Sequence, residues 1–306
     1  MTGRSEVEWP EPPPAEIAKP NTATGQAGDA KAFFAGVFSR HAPAYRRRIE
    51  ALYRRGEAGG RAEVLAAIAA RPGQKILDLA CGPGTLTIPL AHAVGREGEV
   101  VGVDLADRML EQARAALAGS HLMIRFLKMD IEALQFPSGA FDAVTCGHGL
   151  HLAPNLGSVL REVRRVLKPN GRLAASVPIA SEPGAAPAED AFRDAVDARL
   201  GPAPVIDAIV ATRNVVSDPA RFQAACIAAG FREVRANRVT VEENWSSAAA
   251  FVEAGFTWWT IASRLEGLSE HVRELIRQEA VAAVTAATSG GPFTVPNASV
   301  VAVALA

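Results

Sequence analysis

The sequence has little of what marks a disulfide framework, a membrane span or a nucleic-acid surface. Its 306 residues include three cysteines, Cys81, Cys146 and Cys226, which are odd in number and far apart. This spacing favours neither disulfides nor a thiolate zinc site, so we expect a reducing, cytoplasmic environment. No uninterrupted apolar stretch is long enough to span a bilayer, and a formal net charge of −1 excludes a dominant field for nucleic acid. What is left is a globular chain with room for one large domain, or for one domain with additions.

What the sequence does contain is a glycine-rich turn between two apolar segments, in the stretch KILDLACGPGTLT at 75–87. The pattern predicts a buried strand carrying one acid, Asp78, then a tight turn and the start of a helix. Glycines allow positive φ and let a ligand approach the main chain closely, and a helix N-terminus offers unpaired N–H groups. The turn is therefore a candidate site for a small polar ligand.

A dinucleotide is the first ligand to consider for this turn. Its fingerprint is G-x-G-x-x-G after a strand, with an acid about twenty residues further on. Gly82, Gly84 and Asp104 fit this spacing, but Thr87 stands where the third glycine belongs. The glycine pair and the acid are shared by two ligand classes, so they do not decide between them.

Residues 71–180 alternate apolar strands with amphipathic helices, which predicts a parallel sheet covered by helices. The predicted strands are 75–80, 99–104, 124–129, 141–146 and 171–177, and the predicted helices are 84–94, 107–118, a short one near 131–134, and 155–167. Ligands of such sheets bind outside the carboxyl ends of the strands. The turn after the first strand, Asp104, Asp130 and residues 146–148 should therefore meet at one rim.

Five segments resemble, in order, the motifs of class I S-adenosylmethionine-dependent methyltransferases, and more specifically the branch that contains the ubiquinone and menaquinone C-methyltransferases. They are ILDLACGPGTLT (76–87), VVGVDLADRML (100–110), FLKMDIEALQF (126–136), FDAVTCGHGLHLAPN (141–155) and VRRVLKPNGRLAAS (163–176). Ala80 departs from the family, because it replaces the first glycine of D-x-G-x-G-x-G. The resemblance implies an α/β fold with a Rossmann-like seven-stranded mixed sheet, whose last strand is antiparallel. Helices should cover both faces, with an N-terminal helical cap and lid insertions.

The resemblance also implies S-adenosyl-L-methionine as cofactor and a set of residues that bind it. These are Tyr45, Asp78, Ala80, Cys81, Gly82, Gly84, Asp104, Leu105, Met109, Asp130, Ile131 and Cys146. A carboxylate at Asp104 suits a vicinal diol, since it offers two acceptor oxygens to the ribose hydroxyls. Asp130 and Ile131 should face the adenine, although Asp130 can also cap a helix. Met109 is either the other adenine wall or core, and Tyr45 either contacts the methionine end or only packs.

Two histidines, His148 and His151, follow the fourth predicted strand and lie beside the expected methyl group. Histidine titrates near neutrality, so either side chain is a candidate general base for methylation at oxygen or at an activated carbon. A structural hydrogen bond, or contact with the acceptor without proton transfer, remains open for both. No metal site is predicted, because two histidines three positions apart lack a third ligand nearby.

Outside the motifs, composition suggests how the chain is divided. We expect a disordered or extended tail (1–29), a helical cap (30–70), the cofactor-binding core (71–180), a lid insertion (181–217) and the C-terminal part of the fold (218–306) with a helical insertion at 246–290. Aromatic residues cluster where that insertion begins, and they either line an apolar pocket or form core. They are Trp245, Phe251, Phe256, Trp258 and Trp259.

The sequence thus predicts an enzyme that transfers a methyl group to an oxygen or carbon of a small apolar acceptor. Aromatic, quinone-like or polyketide-like acceptors are expected, from quinone or secondary metabolism. Three alternatives stay open: a different reaction on the same fold, such as a cyclisation, methylation of RNA, and a cofactor sensor without turnover. No nucleic-acid partner and no membrane span are expected, and a homodimer is left open.

Overall fold

A computed structural model describes residues 27–306, so most of the predicted tail at 1–29 lies outside the described residues. Helices in this range run Ala27–Arg54 (α1), Arg61–Ile68 (α2), Thr87–Val94 (α3), Asp107–Ala116 (α4), Leu156–Val166 (α5), Pro187–Leu200 (α6), Asp207–Val216 (α7), Pro219–Ala228 (α8), Ala248–Gly255 (α9), Trp259–Leu265 (α10) and Glu270–Ala287 (α11). The strands are Lys75–Leu79 (β1), Glu99–Asp104 (β2), Ile124–Lys128 (β3), Phe141–Gly147 (β4), Leu167–Ile179 (β5), Arg232–Trp245 (β6) and Phe293–Leu305 (β7). A single 3-10 turn lies at Leu150–Leu152.

The strands form one seven-stranded mixed sheet in the order β3-β2-β1-β4-β5-β7-β6. Strands β1 to β5 pair in parallel, and β7 runs antiparallel to both β5 and β6. The strand order reverses between β1 and β4, where ligand sites of open α/β sheets are found. This arrangement confirms the predicted Rossmann-like fold class, including its antiparallel last strand.

The central strands are apolar because helices cover both faces of the sheet. Leu77 and Leu79 of β1 face a large core with α5, α8 and the end of β7, while Ile76 faces a second core with α2 and α3. A separate apolar cluster joins α6, α9, α10 and α11 to the ends of β6 and β7. These late helices therefore have a core of their own beside the sheet.

The largest differences between the predicted and the observed elements lie at 131–134 and at the start of β5. Residues 131–134 form a turn rather than a short helix, because the Leu134 N–H donates to Glu162 Oε2 instead of to the Asp130 carbonyl, as a helix would require. Strand β5 begins at Leu167 rather than 171, since Leu167 already pairs with Phe141 of β4.

Helix α1 lies over the rim where β1, β2 and β4 end, and α2 covers one face of the sheet. Helix α1 packs against α4, α7 and α10, and α2 packs against β4 and β5. The predicted division into cap, core and lid stays a prediction. Within residues 27–306, no helix combines the length and apolar character that crossing a membrane requires.

Candidate active site

A cleft of about 780 Å³ opens at the carboxyl ends of β1, β2 and β4, with α1 as its outer wall. It includes nine residues predicted from sequence: Tyr45, Ala80, Gly82, Asp104, Leu105, Met109, Asp130, Ile131 and His148. Residues that lie far apart along the chain thus meet at one rim, as the alternation of strands and helices predicted. Their roles in binding stay predictions.

The backbone of the turn after β1 makes room for a ligand. Gly82 has a φ of 55°, and a Cβ built on it would meet no heavy atom within 4 Å. Its N–H donates to Asp104 Oδ2 at 2.8 Å, which ties the turn to the end of β2. Ala80 also adopts a positive φ, of 47°, although it has a side chain. An alanine at positive φ is strained, and the methyltransferases that the sequence resembles have a glycine at this position. The hydrogen bond between Gly82 and Asp104 helps to hold the turn in this conformation.

The Asp104 carboxylate lies at the base of the cleft. Its Oδ1 accepts from the Ala106 N–H at 2.8 Å and its Oδ2 accepts from Gly82, so each oxygen keeps a lone pair for another donor. Burial raises its pKa, while these backbone N–H donors act in the opposite direction. A ribose diol would meet a fixed acceptor whose orientation the main chain sets.

The opposite end of the cleft joins an acidic turn to helix α1. Lys31 Nζ lies 2.7 Å from Asp130 Oδ2 and 2.7 Å from Glu132 Oε2. Ile131 and Met109 provide apolar walls, and Met109 is 2% exposed. Met109 is thus buried and also lines the cleft, so it is part of the core, and its role as an adenine wall stays a prediction.

Four residues predicted as cofactor contacts do not line the cleft. Asp78 is 1% exposed and accepts from the hydroxyls of Thr87 and Thr145, and burial raises its pKa to about 6. Cys81 packs away from the cleft among Leu110, Ala113 and Phe126. Two further predicted residues also stand outside the lining: a Cβ built on Gly84 would meet Phe126, and Cys146 is fully buried. Contact of these four residues with the cofactor stays a prediction.

His148 lies at the inner end of the cleft with both ring nitrogens engaged. Arg61 Nη1 donates to its Nδ1 at 2.9 Å, so the neutral ring carries its proton on Nε2, which donates to Ser299 Oγ at 3.0 Å. Burial and the Arg61 charge hold the pKa of His148 well below its usual range. Its one lone pair is taken by a guanidinium, and this weighs against the predicted role as base, which stays a prediction.

Arg61 links this histidine to helix α1, because its Nη2 donates to the Tyr45 hydroxyl at 2.9 Å. Arg61 was not predicted as a site residue, since its only signal in the sequence is its place after the glycine pair that precedes α2. A Cβ on Gly60 would lie 2.9 Å from His148 Nε2, so this glycine allows the close approach of α2. Phe34 and Phe38 of α1 also line the cleft.

A second cavity, of about 1400 Å³, adjoins the first and shares Phe38, Tyr45 and His148 with it. Its walls include four of the five clustered aromatic residues, Trp245, Phe251, Trp258 and Trp259. The fifth, Phe256, packs against Phe192 in the late helical core, as Phe251 does. The aromatic cluster is therefore both a cavity wall and a core.

His151 lines the second cavity rather than the cleft. It is 9% exposed, its Nδ1 has no hydrogen-bond partner among the described residues, and burial lowers its pKa to about 3. His151 is therefore neutral near pH 7, and proton transfer to it is unfavourable. Its predicted role as base stays a prediction, and contact with an acceptor suits its place better. No group of His, Cys, Asp and Glu side chains in residues 27–306 is arranged to hold a metal ion.

Comparison with known proteins defines the class. Residues 76–171 match the family model of a methyltransferase domain. The 2-phytyl-1,4-naphtoquinone methyltransferase of Synechococcus elongatus is 44% identical over 108 residues, which are 35% of this chain and 46% of that protein. The ubiquinone/menaquinone biosynthesis C-methyltransferase UbiE of a Shewanella strain is 42% identical over 106 residues, 34% of this chain and 42% of that protein. The solved YcgJ protein of Bacillus subtilis superposes with a TM-score of 0.51 at 18% identity, over 80% of this chain and 97% of that one.

The matched segment is a class I S-adenosylmethionine-dependent methyltransferase domain, and S-adenosylmethionine is its cofactor. Within that class, it is similar to the ubiquinone and menaquinone C-methyltransferases. The chain matches less than half the length of these curated relatives, and the likeness to the solved structure concerns the fold.

Proposed function

We propose that the protein transfers a methyl group from S-adenosylmethionine to a ring carbon or a ring oxygen of a small, reduced, quinone-like aromatic acceptor. The observation that carries the proposal is the meeting of two cavities at Phe38, Tyr45 and His148. One cavity has the acids and glycines that suit a nucleoside with an amino-acid tail. The other has aromatic walls that suit a flat apolar ring.

The residues of the cleft fit the cofactor by their chemistry. Asp104 offers an oriented acceptor for a diol, and Gly82 leaves space over its backbone. When bound, the cofactor supplies an electrophilic methyl group on a sulfonium sulfur. The chain then has to align the acceptor, exclude water and keep the two ligands in contact, which is where most of the rate enhancement in such a transfer arises.

The similarity to naphthoquinone and ubiquinone/menaquinone methyltransferases supports a quinone-like acceptor. The acceptor must be the reduced form, because a quinone ring is electron-poor whereas a quinol is nucleophilic at carbon and oxygen. Trp258 and Trp259 suit such a ring, since aromatic side chains pair with flat π-systems at little entropic cost.

The test uses S-adenosylmethionine with a deuterated methyl group and naphthoquinol kept reduced under argon. Mass spectrometry should show a product that has gained one labelled methyl group, and nuclear magnetic resonance then assigns it to carbon or oxygen. Asp104→Ala should reduce the transfer, and Asp107→Ala is its matched control, because Asp107 lies three residues from Asp104 but is exposed and pairs with Lys128. Cofactor binding without label transfer to any quinol or phenol tested would contradict the proposal, and an unlabelled rearranged product would indicate a cyclase.

A further inference from the structure

Arg61 is a buried cation at the junction of the two cavities. It is 5% exposed, and its hydrogen bonds go to two neutral groups, His148 Nδ1 and the Tyr45 hydroxyl. Among residues 27–306, no carboxylate lies within 4.0 Å of its guanidinium. The nearby Asp78 attracts the Arg61 charge at longer range, but its two oxygens accept from hydroxyls and not from the guanidinium. A buried charge without a direct ion pair is costly, so the site is suited to a ligand that supplies negative charge in contact with Arg61.

A second guanidinium lies on the other side of Tyr45. Arg48 is half-buried, its Nη1 donates to Thr257 Oγ1 at 3.3 Å, and its Cζ lies 5.9 Å from the centre of the Tyr45 ring. Arg48 and Arg61 both line the second cavity. Positive charge is thus concentrated at the end of the cavity that meets the cofactor cleft.

The other charged residues of this cavity leave it with more positive than negative groups. They are Glu189, Arg213 and Glu243, so three guanidinium groups face two carboxylates. Glu243 accepts from the Asn297 amide, and its charge attracts that of Arg48, so it offsets part of the Arg48 charge. Glu189 on α6 and Arg213 on α7 are opposite charges that also line the cavity. The junction therefore combines two guanidinium groups, of which Arg61 has no direct ion pair, with aromatic walls.

We propose that the acceptor binds as an anion, an aromatic ring with an ionised hydroxyl or enol oxygen held by Arg61 and Arg48. This inference rests on the proposed function and names its substrate class. Two guanidinium groups favour the ionised oxygen, whose proton goes to solvent as the acceptor binds. Ionisation makes the oxygen and the adjacent ring carbons nucleophilic without a protein base. The carbon–methyl bond then forms as the sulfur–methyl bond breaks, and the displaced ring proton leaves to water; transfer to oxygen releases no further proton.

This arrangement also explains why both ring nitrogens of His148 are hydrogen-bonded. Because Arg61 donates to its Nδ1, the histidine holds the guanidinium in place instead of accepting a proton from the acceptor. Tyr45 fixes the second arm of the same guanidinium. The three residues form one positioning unit, with Arg61 as the member that contacts the acceptor.

The experiment compares two coloured probes of nearly equal shape: hydroxynaphthoquinone, which is ionised at neutral pH, and naphthoquinone, which is neutral. Binding is measured by quenching of tryptophan fluorescence with S-adenosylhomocysteine present. The anion should bind at least roughly tenfold more tightly, and Arg61→Met should remove that preference. The absorbance of the bound hydroxynaphthoquinone should also titrate at lower pH than that of the free probe.

Arg47→Met is the matched control, because Arg47 is the exposed neighbour of Arg48 on α1 and does not line the cavity. Arg48→Met provides a second test should Arg61→Met fail to fold, which its circular dichroism would reveal, and it should lower the preference in part. Equal affinities for the two probes, or a preference unchanged in both variants, would overturn the inference. If the inference fails in this way but neutral substrates still receive the labelled methyl group, the proposed function stands. If the protein prefers the anion but transfers no methyl group to any acceptor, only the proposed function is refuted.

Discussion

Replacing Asp104 by alanine should weaken the binding of S-adenosylhomocysteine strongly. The carboxylate is half-buried and lines the cleft, and its two oxygens each accept one backbone N–H at 2.8 Å, which leaves each oxygen a lone pair for another donor. Hydrogen bonds to a charged acceptor contribute about 1.5–3 kcal/mol. The dissociation constant should therefore rise roughly 10- to 150-fold, measured by isothermal titration calorimetry.

A second ligand separates loss of the ribose contact from disturbance of the turn, since Asp104 also fixes Gly82 and Ala106. An analogue of S-adenosylhomocysteine without the 2′-hydroxyl should bind to the wild type more weakly than S-adenosylhomocysteine does. The two ligands should bind to Asp104→Ala with the same affinity, because this variant lacks the acceptor for that hydroxyl. Asp107→Ala should keep the wild-type affinities, since Asp107 is exposed and outside the cleft.

The ribose assignment would be refuted by calorimetry that gives the same affinity for Asp104→Ala and the wild type. It would also be refuted if Asp104→Ala bound both ligands more weakly but kept the wild-type difference in affinity between them. That second result would assign Asp104 to the structure of the turn alone.

Three further predictions concern other residues of the rim. Lys31→Met removes the cation that pairs with Asp130 and joins α1 to the cleft, so it should weaken cofactor binding by a few fold in calorimetry. An unchanged affinity would contradict a role of Lys31 in holding α1 over the cleft. His148→Ala releases Arg61 and should lower kcat more than it weakens cofactor binding, whereas an unchanged rate at saturating acceptor would exclude that role. Burial raises the pKa of Asp78 from 3.8 to about 6, so its contribution to stability is fully present below pH 3.8 and is lost as pH rises through about 6. Asp78→Asn should therefore flatten the fall in unfolding free energy between these pH values by on the order of 3 kcal/mol in urea titrations, and an unaltered slope would contradict the shift.

The fold and the rim could be predicted because their signals are local. Apolar runs such as 76–79 mark strands buried on both faces, and the turn residues that follow each strand fall at the same edge of a parallel sheet. Asp104 and Asp130 could be placed together on this ground alone. The 131–134 turn was predicted as a helix because Asp130 is a good helix cap, but the Leu134 N–H, which a helix would direct to the Asp130 carbonyl, donates to the distant Glu162 carboxylate.

The inner end of the site could not be predicted, because it depends on packing between distant segments. Nothing in the sequence near Arg61 indicates that it is buried against His148, 87 positions later. The side-chain directions of Cys81 and Cys146 also follow from how the turn and β4 sit on the core. The identity of the residues and their spacing along the sequence were enough to locate the rim. The direction of each side chain could be read only from the three-dimensional structure.

The two cavities draw on different parts of the chain, and only Phe38, Tyr45 and His148 belong to both. The aromatic walls come mainly from helices that have their own apolar core beside the sheet. Mutations in those helices can change the shape offered to an acceptor while the nucleoside-binding rim is left intact. New acceptor preferences can thus evolve in this architecture by altering one half of the molecule, with the three shared residues as the fixed boundary.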